Sequence, residues 1–330
     1  MLSRSKELNA DKTLPPLSTG RIGRATSRNG LHWVKDTIGS RSEDIPGVSM
    51  GLNKESWWGF DTAHCGLGSV LLPMSTPAVL MEGGVYLKYY FGGSNDMSPI
   101  SDFITTTSSS LPNDSSMKDV TIKGMKMKIG VAVSQDGITW GRVEGDDPSG
   151  ACVVPFDKND RNQQQQQPKD GNNNPLEEEL YCAWPEVVVA TQKQKAFSMY
   201  YSVMLKDNKQ KCIALAQSPD GFRWNKEGVC LRPDEQGLDA GGCARACVVQ
   251  DAEYDGSKWK ELDSWTMYYE GVSKEDNKHR IMRATSEDGK MWTKQGLVFD
   301  VGCSDEWDSE GVGSPHVVRY VCLSLYYMTQ

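Results

Sequence analysis

An all-β fold, a β-propeller of four-stranded blades, is predicted by three recurrences in this 330-residue sequence. A Ser-x-Asn/Asp-Gly-x-x-Trp unit begins at Ser27, Ser134, Ser218 and Ser286. Asn-Gly or Asp-Gly between two strand-like runs is the signal of a tight turn whose central residues take positive φ. A Tyr-Tyr pair alternates with these units, at Tyr89 and Tyr90, Tyr200 and Tyr201, Tyr268 and Tyr269, and Tyr326 and Tyr327. Before each pair comes a short, largely apolar run, at residues 69–72, 185–189, 246–249 and 315–318. A unit therefore reads strand, Tyr-Tyr strand, hairpin strand, Trp strand, and four short strands repeated in series are the signature of propeller blades. No sustained 3.6-residue periodicity competes with this reading.

In chain order, residues 1–19 are polar, contain Pro15 and Pro16, and are expected to form a disordered lead-in. From residue 20 to residue 330 a single propeller domain is expected. Residues 21–33 supply only the last two strands of a blade, and full blades follow at residues 66–155, 182–233 and 243–300. Residues 315–327 supply the first two strands of another. The two half-blades are expected to complete each other, because an open ring exposes sheet edges at its seam; a truncated five-bladed chain is the alternative. Residues 95–120 are rich in Ser, Thr, Asp and Pro, and residues 157–179 hold a polyglutamine tract, an Asn tract and the run Glu177, Glu178, Glu179. Both are expected to be mobile insertions, since such composition buries too little apolar surface to offset the entropy of ordering.

A net charge of −8 with no Lys/Arg run opposes attraction to phosphate backbones, so no nucleic-acid partner is expected. No apolar stretch reaches the length of a membrane span, and the first residues lack the apolar middle of a secretory signal. A soluble, intracellular chain without a membrane partner is expected. The nine cysteines are odd in number and free of Cys-x-x-Cys spacing, so neither a metal site nor a disulfide framework is indicated, and no cofactor motif is present. Oligomeric state is not legible in the composition.

The Ile-Gly/Ala-x-Ala-x-Ser-x-Asp-Gly-x-x-Trp units, the Tyr-Tyr strands, Trp57-Trp58-Gly59-Phe60-Asp61 and Asp308-Ser309-Glu310-Gly311-Val312-Gly313-Ser314-Pro315 together carry a resemblance. They resemble plant and algal proteins of the glycosyl hydrolase five-bladed β-propeller superfamily, which has the arabinanase/levansucrase/invertase fold. The resemblance covers residue 20 to the end. It implies carbohydrate chemistry by analogy of fold and, from some relatives, a plastid location. The chain departs from the family in encoding roughly four blades' worth of strands rather than five. Glycosidases of this fold usually take a catalytic carboxylate from the start of the first blade, a stretch without a counterpart in the repeat pattern here. The invertase-type Trp-Met-Asn-Asp-Pro signature is absent as well.

Segments leading into the inner strands of a propeller build the mouth of its channel, so acids there are the candidate catalytic groups. Aligning the inner strands places Asp308 beside Asp239, with Glu178 at the matching offset of another blade and Asp61 two residues earlier in its own. Glu186 and His316 share an inner-strand offset at which other blades carry Leu71 and Cys247. A carboxyl at an otherwise apolar site has a raised pKa, which suits a general acid, with Asp308 or Asp239 as its ionised counterpart. Turn-capping by the Asp residues and packing by His316 are the structural alternatives. Trp57, Trp58, Trp184 and Trp307 lie near blade entries and are candidate platforms for a sugar, with His316 a further candidate substrate contact, whereas the hairpin tryptophans are expected in the core between blades. Three functions stay open: a glycoside hydrolase, a non-catalytic carbohydrate-binding module, and a protein-interaction scaffold.

Overall fold

The structure is a computed structural model that describes residues 20–37, 45–73, 84–103, 121–160, 175–189 and 197–318, and all structural statements refer to these. Strand β1 (Ile22–Gly23) pairs with β4 (Val48–Met50), and β2 (Ala25–Ser27) with β3 (Trp33–Lys35). A first four-stranded antiparallel sheet follows, built from β5 (His64–Leu71) and β6 (Tyr86–Gly93), then β9 (Met127–Ser134) and β10 (Gly141–Val143). The short ribbon of β7 (Met97–Pro99) and β8 (Thr121–Lys123) interrupts it. The second sheet runs β11 (Glu179–Val189), β12 (Phe197–Leu205), β13 (Lys211–Ser218), β14 (Asn225–Leu231), in sequence order. The third runs β15 (Gly242–Tyr254), β16 (Trp259–Val272), β17 (His279–Ser286), β18 (Thr293–Phe299), again in order. Each sheet is one blade of the propeller. No α-helix occurs among the described residues, and none of their helices is long and apolar enough to cross a membrane.

Three expectations meet this architecture differently. The lead-in 1–19 and the Tyr326 strand lie outside the described residues, as do 104–120 and 161–174 within the two insertions. The start of the first insertion is ordered as β7, which pairs with β8 just beyond its end. The acidic run of the second is no loop at its end, because Glu178 and Glu179 are buried at the start of β11.

The Ser-x-Asp-Gly-x-x-Trp unit folds as a hairpin because its own side chains satisfy the backbone of the turn. In the first blade Ser134 Oγ accepts from the Gly137 amide at 2.8 Å, and Asp136 Oδ1 accepts from the Ile138 and Thr139 amides, both at 2.8 Å. The same pattern recurs at Ser218 and Asp220 and at Ser286 and Asp288. The turn glycines Gly137, Gly221 and Gly289 have φ of 69°, 82° and 71°, in the left-handed region that a Cβ disfavours.

Each turn is then gripped by the blade before it. Tyr89 of the first blade donates its hydroxyl to the Gly221 carbonyl of the second at 2.9 Å and meets the Trp224 ring edge-on, 5.7 Å between centroids. Tyr200 of the second blade donates to the Gly289 carbonyl of the third at 2.6 Å and meets Trp292 in the same way, also at 5.7 Å. Trp224 and Trp292 thus pack between blades as expected, whereas Trp140 lies against Tyr86 and Lys88 of its own blade, and Trp33 is 63% exposed. It bonds only to its own turn, Nε1 to the Gly30 carbonyl at 2.9 Å.

The inner strands β5, β11 and β15 stand next to one another, each kinked by a bulge, between Leu67 and Val70, between Ala183 and Glu186, and between Ala244 and Cys247. Register corrects one alignment. Glu186 lies opposite Tyr200 and Cys247 opposite Tyr268, while Val70 lies opposite Lys88, so the first-blade equivalent of Glu186 is Ser69 and not Leu71. The bulge shifts the strand and defeats counting along the sequence.

Removing the Tyr200 hydroxyl leaves the buried Gly289 carbonyl without its donor. Tyr200→Phe is expected to cost about 1–3 kcal/mol of unfolding free energy, read from urea or guanidinium denaturation at unchanged slope.

Candidate functional site: a cavity among the inner strands

The expected mouth acids fall into a different role. In the third blade Asp239 is fully buried. Its Oδ2 accepts from Lys294 Nζ at 2.6 Å and from the Tyr269 hydroxyl at 2.9 Å, and Oδ1 accepts from the Asp234 amide at 3.1 Å. Burial by itself would raise this carboxyl, but Lys294, the Asp234 amide and Tyr269 override it and hold the pKa below the ordinary value. In the first blade buried Asp61 accepts from Arg142 Nε at 2.7 Å, with Tyr90 beside it. In the second, Glu179 pairs with Lys226 and accepts from the Phe156 amide at 2.9 Å and from Tyr201 at 3.5 Å. An acid at the start of the inner strand, the second Tyr of the pair and a base on the outermost strand thus clamp each blade.

Counting from Cys65 and Cys243 puts Asp61 and Asp239 at one position, not two residues apart, and the second-blade clamp uses Glu179 rather than Glu178. Glu178 instead sits between Lys158 at 2.6 Å and Lys206 at 3.1 Å, which hold its carboxyl low. The bases were legible as a pattern that the reading of the sequence passed over: Arg142, Lys226 and Lys294 each stand two residues after a hairpin Trp.

The inner strands border an open cavity of about 610 Å³ whose wall includes Arg21, Trp184, Glu186, Arg245 and His316. Trp184, Arg245 and Ser314 occupy one position on successive inner segments and all take positive φ, 50°, 50° and 55°. This left-handed kink is rare for residues with a Cβ and re-aims the chain at the bulge. The Arg245 guanidinium lies over the Trp184 ring, 4.7 Å from its centroid, and Phe91 packs on the same ring at 4.9 Å. Behind them buried Glu270 accepts from Arg245 Nη1 through both oxygens at 3.0 and 2.8 Å. Its Oε1 lies 2.5 Å from His279 Nδ1, and its Oε2 accepts from the Ser314 amide at 2.9 Å. Burial alone would raise Glu270, yet His279 and Arg245 bring it down to about 2, so it is anionic at any physiological pH.

Glu186 is half-buried in this wall. Desolvation pushes its pKa up to about 8, against the Val248 amide and the Cys247 thiol, which donate to it. Those donors reveal a second repeat around the channel. Ser69 Oγ accepts from the Val187 amide at 2.9 Å, Glu186 from Val248, and Cys247 Sγ from Val317 at 3.2 Å, so each blade holds the next at this level. Glu186 therefore serves packing and presents a neutral carboxyl to the cavity at pH 7.

Of the other candidates, His316 lines the cavity and is exposed. Asp308 is half-buried on the loop before the fourth inner segment, outside the cavity wall. Among the aromatic candidates only Trp184 lines the cavity. Trp307 is 92% exposed on that same loop, and Trp57 and Trp58 pack edge-on against each other at 5.8 Å on the loop entering β5. Arg21, Arg245, Glu270 and His279 were not singled out in the sequence, because nothing local marks them. Among the described residues no group of three or more His, Cys, Asp or Glu is placed to hold a metal ion.

No family model matches the chain. Two uncharacterized proteins of Mycobacterium tuberculosis, from strains CDC 1551 and H37Rv, are 34% and 33% identical to it over 106 residues, 32% of this chain and 31% of each of theirs. The chain thus matches about a third of the length of these curated relatives. Solved structures similar to it include a glycoside hydrolase (14% identity, TM-score 0.40, 76% of this chain and 53% of that one). A β-1,2-mannobiose phosphorylase from Listeria innocua is similar at 13% identity and TM-score 0.42, over 69% of this chain and 59% of that one. Fructan 1-exohydrolase IIa from Cichorium intybus is similar at 14% and 0.37, over 64% and 29%. These superpositions are loose, and the architecture rests on the chain's own sheets and registers.

Two outcomes test the site. Lys294→Met strands the buried Asp239 charge and is expected to cost about 3–5 kcal/mol, most of it restored when Asp239→Leu is added. For Glu186 the folded pKa, about 8, lies above the unfolded value of 4.5. Its contribution to stability is complete below the unfolded value and is lost as pH rises through the folded one. Wild-type Tm should fall across this window, and Glu186→Gln should flatten that fall.

Proposed function

We propose that the chain is a carbohydrate-binding propeller whose ligand occupies the cavity among the inner strands and carries a carboxylate. The observation that carries this reading is the set of polar groups in the wall. Arg21, Arg245 and the neutral carboxyl of Glu186 line one cavity of about 610 Å³. Cavities of this size are ordinary small-molecule sites. Guanidinium forks match carboxylates in geometry as well as charge. Glu270 pairs with Arg245 from behind and fixes that guanidinium against the wall. Glu186, protonated at neutral pH, offers a hydrogen bond to a sugar hydroxyl without repelling an anion. The Trp184 ring adds a flat apolar surface of the kind sugars stack on.

Hydrolysis is the second reading, and the raised pKa of Glu186 favours it, since a general acid needs its proton at working pH. It also needs a second, ionised carboxylate across the scissile bond. Among the described residues no other acid lines this cavity, and Asp61, Asp239 and Glu270 are held in ion pairs. The wall therefore supports binding over turnover.

Titration calorimetry of the whole chain with glucuronate, galacturonate, glucose and galactose tests both parts. The acidic sugars are expected to bind at least about tenfold more tightly, with the advantage shrinking in high salt and in Arg21→Gln. Equal affinity for neutral and acidic sugars would remove the carboxylate from the proposal, and no binding at all would remove the carbohydrate. Turnover of arabinan, fructan or aryl-glycosides that drops about 10²- to 10⁴-fold in Glu186→Gln would establish hydrolysis instead.

A further inference from the structure

One buried lysine has no part in the acid–base clamps. Lys88 is 2% exposed and lies on β6, the strand that carries the Tyr-Tyr pair of the first blade. Register fixes its equivalents in the other blades. Lys88 lies opposite Ala132, as Met199 lies opposite Ala216 and Met267 opposite Ala284. Both methionines are fully buried, so a packing position that is apolar in the second and third blades holds an amine in the first.

Among the described residues no carboxylate bonds to this amine. Its Nζ donates to Ser49 Oγ at 3.0 Å and lies 3.9 Å from the centroid of the Trp140 ring. The titratable groups around it are committed elsewhere. Arg24 pairs with Asp36 at 2.5 Å, and Asp136 Oδ1 accepts from the Ile138 and Thr139 amides. Burial pushes the Cys65 thiol up to about 12, so it is neutral. Desolvation pulls the Lys88 ammonium down to about 7. A buried ammonium without a counter-ion sheds its proton more readily than it bears the cost of desolvation, and the neutral amine has a free electron pair.

The amine borders a cavity. An open space of about 260 Å³ is lined by Ser49, Lys88 and Trp140, so both partners of Nζ stand in its wall. Much of the remaining wall is apolar, from Ile22, Leu67 and Val70 to Tyr86, whose ring meets Trp140 edge-on at 6.5 Å between centroids. Such a wall receives a small apolar body, keeps the amine neutral and offers little to a strongly hydrated anion. Trp184, Glu186 and Arg245 are not in it.

We propose that Lys88 is a covalent carbonyl-binding site, whose Nζ forms a Schiff base with a small aliphatic or aromatic aldehyde seated in this cavity. The neutral Nζ attacks the carbonyl carbon and a C–N bond forms. The carbonyl π pair moves to oxygen, which takes up a proton lost by nitrogen. The resulting carbinolamine expels its hydroxyl, which leaves as water with the second N–H proton as the C=N bond closes. Amine and aldehyde thus become imine and water, with no oxidant or reductant consumed. Desolvation in an apolar pocket is what makes a lysine a nucleophile for carbonyls.

The test incubates the full chain at about pH 7 with benzaldehyde and cyanoborohydride, which reduces the imine to a stable benzylamine, and maps the labelled lysines by mass spectrometry. Lys88 is expected to react at least about tenfold faster than any other lysine, because ordinary lysines, with pKa about 10.4, are almost wholly protonated there. Its lead should shrink as pH rises toward about 10, and toluene, an unreactive body of the same shape, should slow labelling at Lys88 alone. Lys88→Met, which installs the residue of the other blades, should keep the fold by circular dichroism and lose the fast phase of incorporation. The wild-type map decides the matter should that variant fail to fold. Even labelling of all lysines, an unlabelled Lys88, or no effect of toluene would overturn the proposal. Protection of Lys88 by sulfate at constant ionic strength would make the cavity an anion site and overturn it as well.

Discussion

The hydroxyl that each blade extends to the turn of the next sets how one sheet is laid on another. Tyr89 on Gly221 and Tyr200 on Gly289 are buried bonds between a side chain and a carbonyl that no strand ladder uses. A ring at the base of each hydroxyl packs edge-on against the hairpin Trp, so a polar constraint and an apolar one coincide. The turn can accept this only because its own backbone is already satisfied by Ser and Asp side chains and because Gly leaves room for the hydroxyl. The arrangement of the inner strands, and hence of the cavity, follows from it.

Charge burial is organised on the same repeat. Each blade takes one carboxylate out of water and places a base and a tyrosine on it. Breaking such a pair is far more costly than never having built it, so the clamp restrains the outermost strand strongly while adding little net stability. This explains why acids at the expected mouth are not free for chemistry. Asp61 and Asp239 are inside the blades, and the carboxyl left facing open space is Glu186.

The cavity owes its chemistry to departures from the repeat. At the kinked position, Trp184, Arg245 and Ser314 share one backbone conformation and three different side chains. At the next level Ser69, Glu186 and Cys247 share one hydrogen-bonding duty and differ in what else they offer. A scaffold that repeats its backbone and varies its side chains puts unlike groups around one axis, which is how a repeated fold acquires a single site.

The sequence by itself determined the strands, the hairpins and the serial blades, because turn chemistry and period-two alternation act between residues a few positions apart. Glu186 was legible too, as a carboxyl in an apolar run whose desolvation raises its pKa. The sequence also contained, unread, the base two residues after each hairpin Trp. Only the tertiary structure decided that Asp239 meets Lys294, 55 residues away, and that Arg245 stacks on Trp184 from another blade. Bulges decided that Ser69, not Leu71, matches Glu186. The physical reason is common to all three. Which side chains converge across a ring depends on sheet register and on the angle between sheets, and these are fixed by contacts between distant blades rather than by any local pattern.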